Sequence, residues 1–386
     1  MLNIPDYRLR LPGPTAVPER VRQAAALPVL NQRGAEFRAM LAECRRRLKP
    51  IFGTAHDVLI FAGSGTAMME AALANILSPG DAVLIVVAGQ FGDRFVSIAE
   101  ALGASIDTVD VEWGGALDAQ RVAERLKRRS YRAVVMVHNE SSTGVAYDVA
   151  AVGAIVRETS ALLVVDSVSG LAGIEMRMDA WNADIVAAAS QKSLMCAPGI
   201  GFAAIGAKAW KVINRDGRVP SFFADFRRAK ASLDRDETPF TPPVTLVYGL
   251  LEALRMIDEE GMSNVLRRHS RLAASLRVGV QALGLELYSQ PNTSSATVVA
   301  MKVPQGLNGG SIVQHLRERY HTVIAGARHP RQTGKVIRIG TMGMISETDI
   351  ITDLHHLEAT LKDLGRPAPA PHAGVRAALD ALAVTA

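Results

Sequence analysis

Lys192 stands at the end of an apolar, strand-like run, Asp184-Ile185-Val186-Ala187-Ala188-Ala189-Ser190-Gln191-Lys192. A primary amine delivered out of a core can form an imine with a carbonyl compound and then move protons. Asp166 lies 26 positions earlier and closes a second apolar run, Leu162-Leu163-Val164-Val165-Asp166. A carboxylate there is costly unless it is paired, and such an acid can keep a pyridine nitrogen protonated. A third feature, Phe61-Ala62-Gly63-Ser64-Gly65-Thr66, joins a strand-like run to a helical one. Its glycines admit an anion close to the backbone, and the helix N-terminus offers free N–H groups and a favourable dipole. No Gly-Lys-[Ser/Thr] follows, so this is not a P-loop, and the third glycine of a dinucleotide fingerprint is missing. Singly, these features read as a surface lysine, a loop-capping Asp and a tight turn. Together they are what a protein needs to hold and use pyridoxal 5'-phosphate.

Further groups fall at the same end of the predicted strands. Val168, two residues after Asp166, points the same way and can pack on a ring face. Val137-His138-Asn139-Glu140-Ser141-Ser142-Thr143-Gly144 ends another strand with a polar cluster. Phe91, in Gly89-Gln90-Phe91-Gly92, can stack on a planar cofactor or simply pack in its loop. Arg338, in Lys335-Val336-Ile337-Arg338-Ile339-Gly340, can bind a carboxylate bidentately or serve a structural ion pair. The histidines form no ligand pattern, and adjacent His355 and His356 point apart on a helix, toward solvent. No metal site is expected.

The elements that must position these groups alternate. Strands are expected at Val58–Phe61, Ala82–Val87, Ala133–His138, Leu162–Asp166, Ile185–Ala189 and Gly201–Ile205, each a continuous apolar run of the kind buried on both faces of a parallel sheet. Helices are expected between them at Thr66–Ile76, Arg94–Leu102, Asp118–Arg128 and Ala150–Thr159. This is an α/β rhythm: a mostly parallel central sheet flanked by helices. In open sheets of this kind ligands sit at the carboxyl ends of the strands, where Asp166 and Lys192 both arrive. From about Met262 the pattern becomes α+β. Residues 16–260 thus read as a large domain, and 261–364, joined by 1–15, as a smaller C-terminal one. Residues 365–386 read as a Pro/Ala-rich linker and a short tail helix.

Composition narrows the setting. The chain has 386 residues and is 48% hydrophobic, enough for two cores. Its apolar runs are strand-sized, so no membrane span is expected, and Met1-Leu2-Asn3-Ile4-Pro5-Asp6 lacks the features of a signal peptide. Two cysteines, Cys44 and Cys196, cannot build a disulfide framework or a metal cluster, which favours a reducing, cytoplasmic setting. Arginine outnumbers lysine 34 to nine, and basic and acidic residues are mixed. The densest cluster, Arg45-Arg46-Arg47, reads as a solvated helix face. Aromatic residues make up 5% and are scattered, which argues against a nucleic-acid surface.

Taken in order and spacing, these motifs resemble the class V aminotransferases of the alanine–glyoxylate and serine–glyoxylate type, over nearly the whole chain from Leu11-Pro12-Gly13-Pro14-Thr15 onward. The most specific pieces are Asn139–Gly144, Val165–Ser169, Ser190–Gly199 and Arg338-Ile339-Gly340. The resemblance implies pyridoxal phosphate fold type I. It makes Lys192 the residue that carries the cofactor as an imine and the proton-transfer base, and Asp166 the partner of the pyridine nitrogen. Ser141 would face the phenolic oxygen, and Phe91 and Val168 the ring. Ser64, Gly65, Thr66 and Gln191 would hold the phosphate, and Arg338 the substrate α-carboxylate. Thr241, in Phe240-Thr241-Pro242-Pro243, matches a threonine lent to the neighbouring subunit's phosphate, implying a homodimer with shared active sites. The implied reaction moves an amino group from serine or alanine to glyoxylate or pyruvate. The sequence departs from animal relatives in having Phe91 in place of Trp, and from many relatives in reading Asn31-Gln32-Arg33 in place of His-Arg. Other readings of the same residues are a lyase, a pyridoxamine–pyruvate type transamination, and a non-catalytic binding protein on the same fold.

Overall fold

The computed structural model describes residues 5–215 and 219–384. The first four residues of the expected N-terminal segment and the last two of the tail lie outside the described residues.

Seven strands form the main sheet, in the spatial order Val58–Gly63, Gly199–Ile205, Ile185–Ala189, Leu162–Asp166, Ala133–Val137, Ala82–Val87, Ser105–Asp110. Every pairing is parallel except those of Gly199–Ile205, which runs antiparallel to both neighbours. Strand side chains alternate between faces, and each face here carries its own core. Leu84, Val86, Val134, Met136, Leu163, Val165, Val186 and Ala188 belong to one. Val83, Ile85, Val135, Val137, Leu162, Val164, Ile185 and Ala187 belong to the other. Burial on both faces is why these strands read as unbroken apolar runs. Full burial of one such Val, Leu or Ile contributes about 1.5–3 kcal/mol.

Ser105–Asp110 escapes an apolar-run criterion because this edge strand is half-exposed and carries only two large apolar residues, Ile106 and Val109, one toward each core. Arg45 and Arg47 also depart from the expected solvated face. Arg45 donates to Asp236 Oδ1 at 2.6 Å and to the Leu233 carbonyl at 3.0 Å, and Arg47 pairs with Glu43 at 2.7 Å and with Asp258; only Arg46 is exposed.

The C-terminal part is built on a three-stranded antiparallel sheet, ordered Val298–Lys302, Val336–Gly340, Ala325–Gly326. Its core includes Leu272, Leu276, Met301, Ile312, Ile337, Ile339, Leu354 and Leu357. The N-terminal segment crosses to it. Arg8–Leu9 pairs with Thr322–Val323, Gly340 N donates to the Arg10 carbonyl at 2.8 Å, and buried Arg10 meets buried Asp353 at 2.6 Å. The tail helix Ala373–Val384 packs down as well, with Ala378 and Leu382 in the core and the Ala378 carbonyl accepting from Ser275 Oγ at 3.0 Å. His356 is half-buried, stacked on Tyr320 at 4.6 Å and bonded to Thr322 Oγ1 at 2.9 Å, so only His355 faces solvent as expected.

Candidate active site

Lys192 begins a turn just beyond the Ile185–Ala189 strand, which lies beside the strand ending in Asp166. Both side chains line one cleft with Ser64, Gly65, Thr66, Phe91, Ser141, Val168 and Gln191. Nine expected residues therefore come together from five separate segments. Met69, Arg94 and Ser169 line the cleft too.

The N-terminal loop sets the position of the lysine. Lys192 Nζ donates to the Pro12 carbonyl. Thr15 Oγ1 donates to the Lys192 carbonyl at 3.1 Å, and Thr15 N to the Gln191 carbonyl at 3.1 Å. Gly13 adopts φ +101°, and a Cβ placed on it would lie 2.4 Å from Lys192 Cδ and 2.5 Å from Nζ. The loop can approach this closely only because residue 13 has no side chain.

Burial tunes both titrating groups. It lowers the Lys192 amine to about 8, and Arg338 and Arg94 add to the lowering, while Asp166 opposes it. Burial raises the Asp166 carboxyl to about 6, against the hydrogen bond from Val168 N at 2.7 Å and the charges of Lys192 and Arg94. Near neutral pH an appreciable fraction of such an amine is unprotonated and able to accept a proton.

On the other side, Ser64 caps the helix Gly65–Ala74, its Oγ accepting from Ala67 N at 3.2 Å. A Cβ on Gly65 would lie 2.8 Å from Val168 Cγ2, so glycine lets the turn and the strand end meet. Arg94 donates to Thr66 Oγ1 at 3.0 Å and lies over the Phe91 ring at 4.6 Å. It meets no carboxylate among the described residues.

Arg338 reaches the same region from the small sheet, donating to the Ser141 carbonyl at 2.8 Å and the Gly326 carbonyl at 3.3 Å. Buried Glu140 sits between these parts. It accepts from Ser142 Oγ at 2.6 Å, Ser142 N at 3.2 Å, Phe91 N at 3.0 Å and Gly92 N at 3.2 Å. Burial raises its carboxyl to about 7 despite those donors. One carboxylate thereby ties the Phe91 helix to the Ser141 turn that Arg338 holds. Sequence reading had Glu140 within a polar motif but no partner for it. Arg94 was expected only as the first residue of a helix; the helix begins at Gln90, which puts Arg94 one turn after Phe91.

Two expected residues are absent from the lining: Arg338, which stands behind it on the Ser141 carbonyl, and Thr241, which is exposed. Both cysteines are buried free thiols, and burial raises both above the ordinary thiol range. Neither can act as an exposed, mobile nucleophile.

The Aminotransferase class-V family profile matches residues 19–351. The chain is 35% identical to the L-aspartate–glyoxylate aminotransferase of Paracoccus denitrificans, over 92% of this chain and 91% of that one. It is 34% identical to the serine–glyoxylate aminotransferase of Methylorubrum extorquens, over 96% and 94%. The crystal structure of ureidoglycine–glyoxylate aminotransferase from Bacillus subtilis superimposes with a TM-score of 0.95 at 30% identity, covering 98% of this chain and 99% of that one. The chain belongs to the class V aminotransferases, a family of fold type I enzymes that use pyridoxal 5'-phosphate.

Proposed function

We propose that this class V aminotransferase transfers the amino group of a small amino acid, serine or alanine, to a small 2-oxo acid, glyoxylate or pyruvate. The convergence of the Lys192 amine and the Asp166 carboxyl on one cleft, with Arg338 close enough for its charge to act on Lys192, carries this reading. A non-catalytic binding protein has no use for a buried amine lowered toward neutrality. The residues present also fit the cofactor. Arg94 lacks a carboxylate, leaving its charge for an anion, and the buried Asp166 carboxylate accepts only from Val168 N among the described residues.

Pyridoxal phosphate supplies, when bound, a carbonyl carbon for the amine and a conjugated ring that takes up the electron pair of a breaking Cα–H bond. In the assignment supported here, Ser64, Gly65, Thr66 and Gln191 hold its phosphate, Phe91 and Val168 flank its ring, Ser141 faces its phenolic oxygen, and Asp166 pairs with its ring nitrogen. Arg338 anchors the substrate α-carboxylate with a planar fork already fixed by two carbonyls, so little order is lost on binding. Lys192 Nζ would take the substrate Cα proton and return it to the cofactor carbon, as general base and then acid. Buried Cys44 and Cys196 speak against a desulfurase.

The same reading makes the enzyme a homodimer. Thr241 is exposed and follows Phe240, whose ring packs with the exposed rings of Phe222 (68%) and Phe223 (45%), which is consistent with a role on a neighbouring subunit's phosphate. The division at residue 260/261, with 1–15 joined to the smaller domain, is supported by the separate C-terminal core. No helix among the described residues is long and apolar enough to cross a membrane; free thiols support a cytoplasmic site of action. The test is a half-reaction: the loaded enzyme with serine alone should release one equivalent of oxo acid per subunit, and subsequent glyoxylate should yield one equivalent of glycine. Release of ammonia or continuous turnover without an acceptor would instead identify a lyase.

A further inference from the structure

The residues assigned to the cofactor's phosphate carry no formal charge: Ser64, Gly65, Thr66 and Gln191 are all neutral. The N–H groups of Gly65 and Thr66 have no acceptor among the described residues, so the first turn of the Gly65–Ala74 helix is open to an anion. A helix N-terminus supplies the equivalent of about half a positive charge. A phosphate monoester brings about −1.5 to −2 near neutral pH. Neutral donors and one dipole therefore leave roughly one negative charge or more unanswered.

Two basic side chains line the cleft, Lys192 and Arg94. The function proposed above commits Lys192 to the imine. Arg94 stands at the phosphate turn: its Nη1 donates to Thr66 Oγ1 at 3.0 Å, and its guanidinium lies over the Phe91 ring at 4.6 Å. That hydrogen bond uses one of five N–H donors. No carboxylate takes the others. Asp93, beside it in sequence, faces His329 at 3.4 Å. Glu140 is spent on Phe91 N, Gly92 N and Ser142. Asp166, the one acid in the lining, accepts from Val168 N and makes no ion pair with Arg94 among the described residues. Arg338 reaches the cleft from the Ser141 side, so the α-carboxylate and Arg94 belong to different walls.

We propose that Arg94 is the counter-charge of the cofactor's phosphate, its guanidinium fork binding phosphate oxygens beside Thr66, and that this contact makes the cleft select pyridoxal phosphate over unphosphorylated pyridoxal. This deepens the function proposed above and rests on its assignment of the Ser64–Thr66 turn. It also separates that function from a pyridoxamine–pyruvate type of transamination, whose ring substrate carries no phosphate for Arg94 to meet.

The experiment strips the full-length enzyme of cofactor and titrates it with pyridoxal phosphate and with pyridoxal, following the absorbance of the imine. Wild type, Arg94→Gln and Arg94→Lys are compared. Charge-assisted hydrogen bonds to an anion correspond to about 10- to 100-fold in affinity. Arg94→Gln should weaken pyridoxal phosphate by about that factor and leave pyridoxal within about two-fold of wild type. Arg94→Lys should recover part of the loss, because it keeps the charge but not the fork. Should the glutamine exchange disturb folding, Arg94→Lys carries the same requirement, a loss confined to pyridoxal phosphate. Equal losses for the two aldehydes would make Arg94 a packing residue and overturn the proposal, as would an unchanged affinity for pyridoxal phosphate. A wild-type protein that forms no imine with either aldehyde would instead sink the function on which the proposal rests, and the proposal with it.

Discussion

Replacing Gly13 with alanine tests how the N-terminal loop governs the reactive amine. The new Cβ would lie 2.4 Å from Lys192 Cδ, 2.5 Å from Nζ and 2.6 Å from Cε, all inside van der Waals contact, and the residue would have to hold φ +101°. The backbone alone costs about 1–3 kcal/mol for a non-glycine residue in such a region. The flexible end of the lysine can move aside, so the clash should appear mainly as a displaced amine rather than as unfolding. A displacement of about 1 Å at a reacting group can lower the chemical step by about 10²-fold. Gly306 supplies the control: its φ is +88°, and a Cβ there meets nothing within 4 Å. Gly306→Ala should carry the backbone strain alone. Thermal unfolding and single-turnover kinetics with a saturating donor separate the two effects. Both variants should lose a few degrees in Tm, at about 2–4 °C per kcal/mol for domains of 150–250 residues. Only Gly13→Ala should lose about two orders of magnitude in the amino-transfer step. If the two variants kept equal single-turnover rates, the loop would not position Lys192, and the contact with Pro12 would be incidental.

Arg338→Ala should raise KM for both amino and oxo acids by about 10- to 100-fold through loss of charge-assisted hydrogen bonds, and Arg338→Lys should recover little because the fork geometry is lost; unchanged KM values would make this arginine structural. Burial raises the Asp166 carboxyl from 3.8 to about 6, so the folded apoprotein binds more protons than the unfolded chain between those values and loses stability as pH rises through them. That loss amounts to about 3 kcal/mol, and urea denaturation from pH 4 to 7 should show Asp166→Asn free of it; parallel curves for the two proteins would contradict the assignment. Cys44 and Cys196, buried and with thiols raised by burial, should resist alkylation in the native protein and react only after denaturation, followed by mass spectrometry; rapid labelling of either would show that its cover opens.

The sheet was legible because six of its seven strands are buried on both faces, and that condition writes an unbroken apolar run into the sequence. Ser105–Asp110 was not, because this half-exposed edge strand spends only one large apolar residue on each face, Ile106 and Val109. Asp166, Lys192 and Ser141 could be placed at one sheet edge from strand direction alone, since parallel strands all end on the same side. Glu140 and Arg94 could not be given roles, because each acts through partners distant in sequence: Phe91 N for Glu140 across 49 positions, Thr66 for Arg94 across 28. The Arg45–Arg47 cluster misled for the same reason. Its acidic partners Asp236 and Asp258 arrive from about 200 residues downstream, and a run of like charge looks solvated until they do. Thr241 shows the complementary limit, since an exposed threonine acquires a site only through a second subunit.

The most direct test of the account is the attachment site of the cofactor. The purified enzyme, loaded with pyridoxal phosphate, would be reduced with borohydride, digested and mapped by mass spectrometry. The account predicts a single modified peptide carrying the cofactor on Lys192, and none once serine has converted the enzyme to its amino form before reduction. Labelling of another lysine, or of none, would contradict it.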